Sequence, residues 1–115
     1  MRARLNGIFN DVLDLRTWIP GEVDFSVDVR VNVGVVGIPG DDDFDLNVCT
    51  PGWLVENSSS ALWGRGMLVV SEFDFSVIES VISSYIDSCE ADTWAEIATK
   101  LCRVMKWEFD DYQSS

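Results

Sequence analysis

Phe25, Val27, Val29, Val31, Val33 and Val35 alternate with Ser26, Asp28, Arg30, Asn32 and Gly34. This period of two constrains the fold more than any other feature of the chain. Successive side chains of a strand point to opposite faces, so β-branched residues at every second position make one dry face and one wet face. Burial on one side only is characteristic of antiparallel sheets, whereas parallel strands covered on both faces read as continuous apolar runs. Phe44, Leu46 and Val48 repeat the alternation against Asp45, Asn47 and Cys49. Between the two runs, Gly37-Ile38-Pro39-Gly40-Asp41-Asp42-Asp43 reads as a turn, because Gly and Pro break the pattern and three adjacent carboxylates need water. The pair is predicted as a hairpin with an acidic tip.

The remaining elements fit around this hairpin. Arg2 to Asn10, with Leu5, Ile8 and Phe9, reads as a further strand, and Trp18-Ile19-Pro20-Gly21 as a linker closed by a Pro-Gly turn. Thr50-Pro51 opens a short helical turn through Val55, with Thr50 as cap and proline at the first helical position. Met67 to Val70 is a continuous apolar run, expected as a central strand continuing to Phe73. Asp74 caps a helix in which Val77, Ile78, Val81, Ile82, Tyr85, Ile86 and Cys89 fall three and four apart. After Glu90-Ala91-Asp92, Thr93 and Glu96 form a capping box for a second amphipathic helix reaching Met105, with Lys100, Arg103 and Lys106 late in it. Trp107 to Tyr112 ends the ordered chain. A strand-rich first part followed by helices predicts one α+β domain over residues 1–115. Its expected form is an antiparallel sheet of about four strands with two C-terminal helices packed on one face.

Charge is the unusual quantity: Asp and Glu number 20 against 8 Lys and Arg, for a net charge of −12. Such a field repels nucleic acid and anionic membrane and speeds encounter with basic partners, although acidity also serves plain solubility. No apolar run reaches the ~18 residues needed to span a membrane, and no signal-peptide core follows Met1, so the cytoplasm is the expected compartment. The cysteines are Cys49, Cys89 and Cys102, with no CxxC spacing. They read as buried reduced thiols, and a Cys89–Cys102 bond is left open by the sequence.

Reactive chemistry finds little support. Asp41, Asp42, Asp43 and Asp45 crowd one segment, but calcium loops need alternating oxygen ligands, a central glycine and a distal glutamate; here the carboxylates are contiguous and Gly40 precedes them. The chain has no histidine, so a serine or cysteine nucleophile lacks its usual base. Gly64-Arg65-Gly66 lacks the spacing and the Lys-Ser/Thr of a phosphate loop. The expectation is therefore no enzyme, no cofactor and no metal. Protein binding remains: Asp28 on the wet strand face, Asp41, Asp42, Asp43 and Asp45 near the hairpin tip, and Trp63 are the candidate contact residues. Trp63, beside polar and glycine residues, either folds back to close the core, the favoured placement, or projects as an aromatic anchor ringed by carboxylates. Trp18, Trp53, Trp94 and Trp107 read as core or core-edge residues.

Val48-Cys49-Thr50-Pro51-Gly52-Trp53-Leu54 resembles the VCTPxWL motif of the immunity protein 8 family of bacterial polymorphic toxin systems. Further blocks agree in order: Asp14-Leu15, Val33-Gly34 and Gly40, Gly64-Arg65 with Leu68-Val69-Val70, Trp94 to Ala98 with Lys100-Leu101, and Trp107-Glu108-Phe109 with Asp111-Tyr112. The resemblance covers nearly the whole chain; it departs at Val35-Val36-Gly37, where Gly-Pro is expected. It implies an α+β fold and a protein that binds and neutralises the C-terminal domain of a cognate toxin, without transferring contact residues or naming the toxin. Nuclease toxins carry basic clefts for phosphate backbones, so a strongly acidic antidote favours a nuclease as target. The alternative class is an acidic nucleic-acid mimic that inhibits a host DNA-binding or restriction enzyme. The chain itself is expected to bind neither nucleic acid nor membrane, and to be a monomer or weak homodimer.

Overall fold

The computed structural model describes residues 1–58 and 60–109. Among these residues, five strands and three helices follow one another as β1 (Ala3–Phe9), β2 (Ser26–Val35), β3 (Ile38–Cys49), α1 (Pro51–Asn57), β4 (Met67–Val69), α2 (Phe75–Asp87), α3 (Trp94–Leu101) and β5 (Lys106–Trp107). They build one sheet in the order β1-β2-β3-β4, with β5 also beside β3. All pairings are antiparallel except β3 with β4, which is parallel. The class is α+β as the patterning predicts, with a mostly antiparallel mixed sheet.

The core sits where the period of two places it. Val27, Val29, Val31, Val33 and Val35 of β2 are buried, as are Phe44, Leu46 and Val48 of β3. Against them lie Ile78, Ile82 and Ile86 of α2 and Ile97, Ala98 and Leu101 of α3. Burying each such aliphatic side chain contributes at most roughly 1.5–3 kcal/mol. Asp74 caps α2 by accepting from the Ser76 and Val77 amides, and its hydrogen bond from the Ser76 hydroxyl holds its carboxyl below the usual aspartate range. Thr93 caps α3 by accepting from the Glu96 amide.

Four expectations are corrected. First, the hairpin turns at Val36-Gly37, with Gly37 at φ 80°, and not over residues 37–43. The strand resumes at Ile38, and the aspartates belong to it. Pro39-Gly40-Asp41 is accommodated because Val35 pairs with Ile38 while Val33 pairs with Asp42, which leaves extra residues on β3 as a bulge, with Gly40 at φ 98°. Second, β4 is an edge strand of three residues and not a central one; Leu68 packs against the core beside α2 while Val69 is exposed. Third, α3 stops at Leu101. Val104 and Met105 both donate to Leu101 O, and the Arg65 guanidinium takes up Cys102 O at 3.0 Å and Met105 O at 3.3 Å, so the carbonyls freed at the helix end are satisfied by a tight turn. Lys106 then lies in β5, held by Trp107 stacking on Phe44 at 6.1 Å and 17°. Fourth, Trp63 is 94% exposed and does not close the core. Of the other tryptophans, Trp18, Trp94 and Trp107 pack against the core and Trp53 is half-buried. The expected ordered end of the chain beyond Phe109 lies outside the described residues. None of Cys49, Cys89 and Cys102 is joined in a disulfide, so the Cys89–Cys102 bond that the sequence leaves open does not form.

Thr50 is the single buried polar residue of the described core, at 2% exposure. Its Oγ1 accepts from the Phe25 amide (3.1 Å) and from the Trp53 amide (3.4 Å), while its own amide donates to Phe25 O (3.1 Å). One hydroxyl thus ties the start of β2 to the first turn of α1. Thr50→Val preserves shape but strands the buried Phe25 amide, which costs about 1–3 kcal/mol. Denaturant unfolding should show that loss for Thr50→Val and recover most of the stability in Thr50→Ser.

Candidate functional site

Because strand residues alternate, the wet side of the β2–β3 pair is fully specified by register. Asp28 lies opposite Asn47, Arg30 opposite Asp45, and Asn32 opposite Asp43. None of these six is fully buried. On the outer side of β3, Asp45 also faces Lys106, so Arg30, Asp45 and Lys106 form a row across three strands. From β1, Gly7 and Phe9 face Asn32 and Arg30. A bulge between Leu5 and Gly7 places Asn6 beside the hairpin.

Hydrogen bonds hold these side chains in place. Arg4 Nε donates to Asn6 Oδ1 (2.7 Å), and Asn6 Nδ2 donates to Asp41 Oδ2 (3.1 Å). Asn32 Nδ2 donates to Asp43 Oδ1. Asn47 Nδ2 donates to Ser26 Oγ (2.7 Å) and to Asp28 Oδ1 (2.9 Å). The Arg30 guanidinium forks onto Asp11 at 3.2 and 3.4 Å and lies 5.7 Å from the centre of the Phe9 ring. Each exposed contact contributes little to stability, on the order of 0–1 kcal/mol. Their effect is to reduce the side-chain freedom that binding would otherwise have to remove.

The sequence-predicted contact residues therefore separate. Asp28, Asp43 and Asp45 share the open face, with Asp41 beside them in the bulge. Asp42 pairs with Val33 and belongs to the opposite side, at a cleft of about 340 Å³ with Ile38 and Trp94. Trp63 lies outside the sheet, in the connection between α1 and β4. The open face is also less one-sided in charge than composition suggests, since Arg4, Arg30 and Lys106 stand among its carboxylates. The alternation of β2 places Asn32 on the wet face from sequence, whereas Asn6 and Asn47 are not among the predicted contacts. The phase of Asn47 with Asp45 signals its place, whereas the Asn6 bulge leaves no sequence trace.

Burial pushes the Cys49 and Cys89 thiols above their ordinary value, which lowers the thiolate fraction at neutral pH. No cluster of three or more His, Cys, Asp or Glu among the described residues is arranged to hold a metal. No helix among them is long and apolar enough to cross a membrane.

The face depends on one close approach. A Cβ at Gly34 would stand 2.7 Å from Gly40 O and 2.9 Å from Asn6 Nδ2, whereas one at Gly21 would meet nothing within 4 Å. Gly34→Ala must push the bulge and Asn6 apart and should cost about 1–3 kcal/mol. Gly21→Ala should stay within about 0.5 kcal/mol of wild type in the same denaturant titration.

The sequence profile of the family described as immunity protein 8 matches residues 3–112. No curated protein and no solved structure matches the chain. The profile match takes in every strand and helix described above, and on that basis the chain belongs to the immunity protein 8 family.

Proposed function

We propose that the protein neutralises its cognate toxin by laying the open sheet face over a basic surface of the toxin's C-terminal domain. Membership of the family makes it an immunity protein of toxin systems; the docking face and the chemistry of the target are our reading. The observation that carries it is the sorting of carboxylates by strand pleat. Asp43 and Asp45 sit two residues apart on β3, roughly 7 Å from one another by strand rise, with Asp28 on the neighbouring strand of the same face. A short row of fixed negative charges on a sheet is the kind of surface that fits a cleft built for phosphates. This favours a nuclease as target.

Binding in this reading needs no turnover by the immunity protein. The carboxylates attract the toxin over distance and set its approach, while Arg30 and Lys106 fix the register in which opposite charges meet. Occlusion follows from seating a sheet in front of the toxin's cleft.

Asp28, Asp43 and Asp45 converted together to Asn should slow association with the neighbouring toxin domain by about tenfold or more at low ionic strength, with a flatter dependence on salt. Stopped-flow mixing with a catalytically inactive toxin checks this. A nuclease target adds a second expectation: single- or double-stranded nucleic acid competes with the immunity protein for the toxin. Unchanged association by the triple variant would move the docking face elsewhere.

A further inference from the structure

The end of the sheet where β2 begins and β3 ends carries a surface that the family match does not assign. Trp18, Phe25 and Phe73 close the core there edge to face, with ring centres 4.8–5.9 Å apart. Outside this seal, Ile19 is 82% and Val23 88% exposed. Both are aliphatic side chains left in water on a loop anchored to the core by its neighbours. Between that loop and residues 71–73 runs a groove of about 500 Å³, floored by Phe25 and Phe73 and flanked by Glu22 on one wall and Glu72 on the other.

Charge at this end is of one sign. No lysine or arginine occurs between Arg16 and Arg30 or between Arg30 and Arg65, the stretches that supply the loop, both hairpin strands and α1. Arg16 is engaged elsewhere, with Glu79 at 3.2 Å and over the Phe75 ring at 5.0 Å. Among the described residues, Glu22 and Glu72 are both exposed and have no hydrogen-bond or ion-pair partner. Asp24, next in the loop, packs against Gly52. An aromatic floor, an aliphatic lip at Val23 and two unpaired carboxylates on opposite walls complement a long cationic side chain, whose stem is apolar and whose head is charged.

We propose that this groove receives an arginine or lysine side chain of the cognate toxin, as a second and more apolar contact than the open sheet face. Asp28 and Ser26 on that face lead into this end of the sheet, so one partner can reach both. The inference rests on the immunity reading above and adds to it the place where a partner side chain is anchored.

Binding of catalytically inactive toxin domain to the full chain tests it. Glu22→Gln with Glu72→Gln should raise Kd by about tenfold or more, the range of a hot-spot contact. Asp87→Asn with Asp92→Asn, an equal charge change on exposed residues flanking the segment that meets the start of β1, at the opposite end of the sheet, should change Kd by less than about twofold. Val23→Ser, at a side chain too exposed to matter for folding, should also weaken binding. Equal behaviour of the two charge pairs overturns the proposal and leaves the immunity reading intact. Weakening by Val23→Ser alone replaces the basic side chain with an apolar one and overturns it too. Dimers of the free protein that dissolve on Val23→Ser would assign the groove to a second copy. Failure of the wild-type chain to bind the toxin at all would remove the immunity reading and this inference together.

Discussion

The pleat of β2 is the constraint on which the rest depends. Val27 to Val35 at every second position must be dry, and the residues between them are therefore delivered to the other side in a fixed order. A slip of one residue would bury Asp28, Arg30 and Asn32 against α2 and α3, at a cost no hydrogen bond in that core could offset. The same register that builds the core thus determines which carboxylates stand together on the open face. In the proposed docking, stability and recognition are two sides of one strand pair.

Much of this was legible from sequence where a pattern repeats. The β2 alternation, the Asp74 and Thr93 caps, the Thr50-Pro51 helix start and the α+β grouping all rest on several residues agreeing on one period or one cap chemistry. The misread segments share a different character: composition pointed one way and a tertiary contact decided otherwise. Pro39-Gly40 and three adjacent aspartates have the composition of a loop, yet Gly37 at φ 80° reverses the chain two residues after Val35, and the bulge absorbs the proline. A continuous apolar run suggested a central strand for Met67 to Val70, but β4 is an edge strand in which Leu68, followed by Val70, packs on the core beside α2 and Val69 is left exposed. β5 is only two residues long and exists because Trp107 stacks on Phe44, a contact no local window contains.

The candidate surface was half legible. Four aspartates near one another in sequence invited a single cluster, and strand alternation divides them: Asp43 and Asp45 join Asp28, while Asp42 turns to the helix side. Pairing by Arg30, Asn32 and Asn47 shows that the open face is an organised polar surface and not a bare negative patch. The unrelieved negative charge lies instead at the end of the sheet, where a cation-free stretch of sequence meets exposed aliphatic residues. That signal was present in the spacing of arginines, which matters only once folding brings the loop and residues 71–73 together. Membership of the immunity protein 8 family supplies the biological setting for both surfaces.

Carbodiimide labelling of carboxyl groups, read by mass spectrometry with and without the toxin domain, tests the central account most directly. The open-face reading predicts that Asp28, Asp43 and Asp45 lose label in the complex while Glu79, Asp87 and Glu96, on or beside the helices, label as before. Protection confined to the helix side, with the three aspartates still labelled, would contradict it.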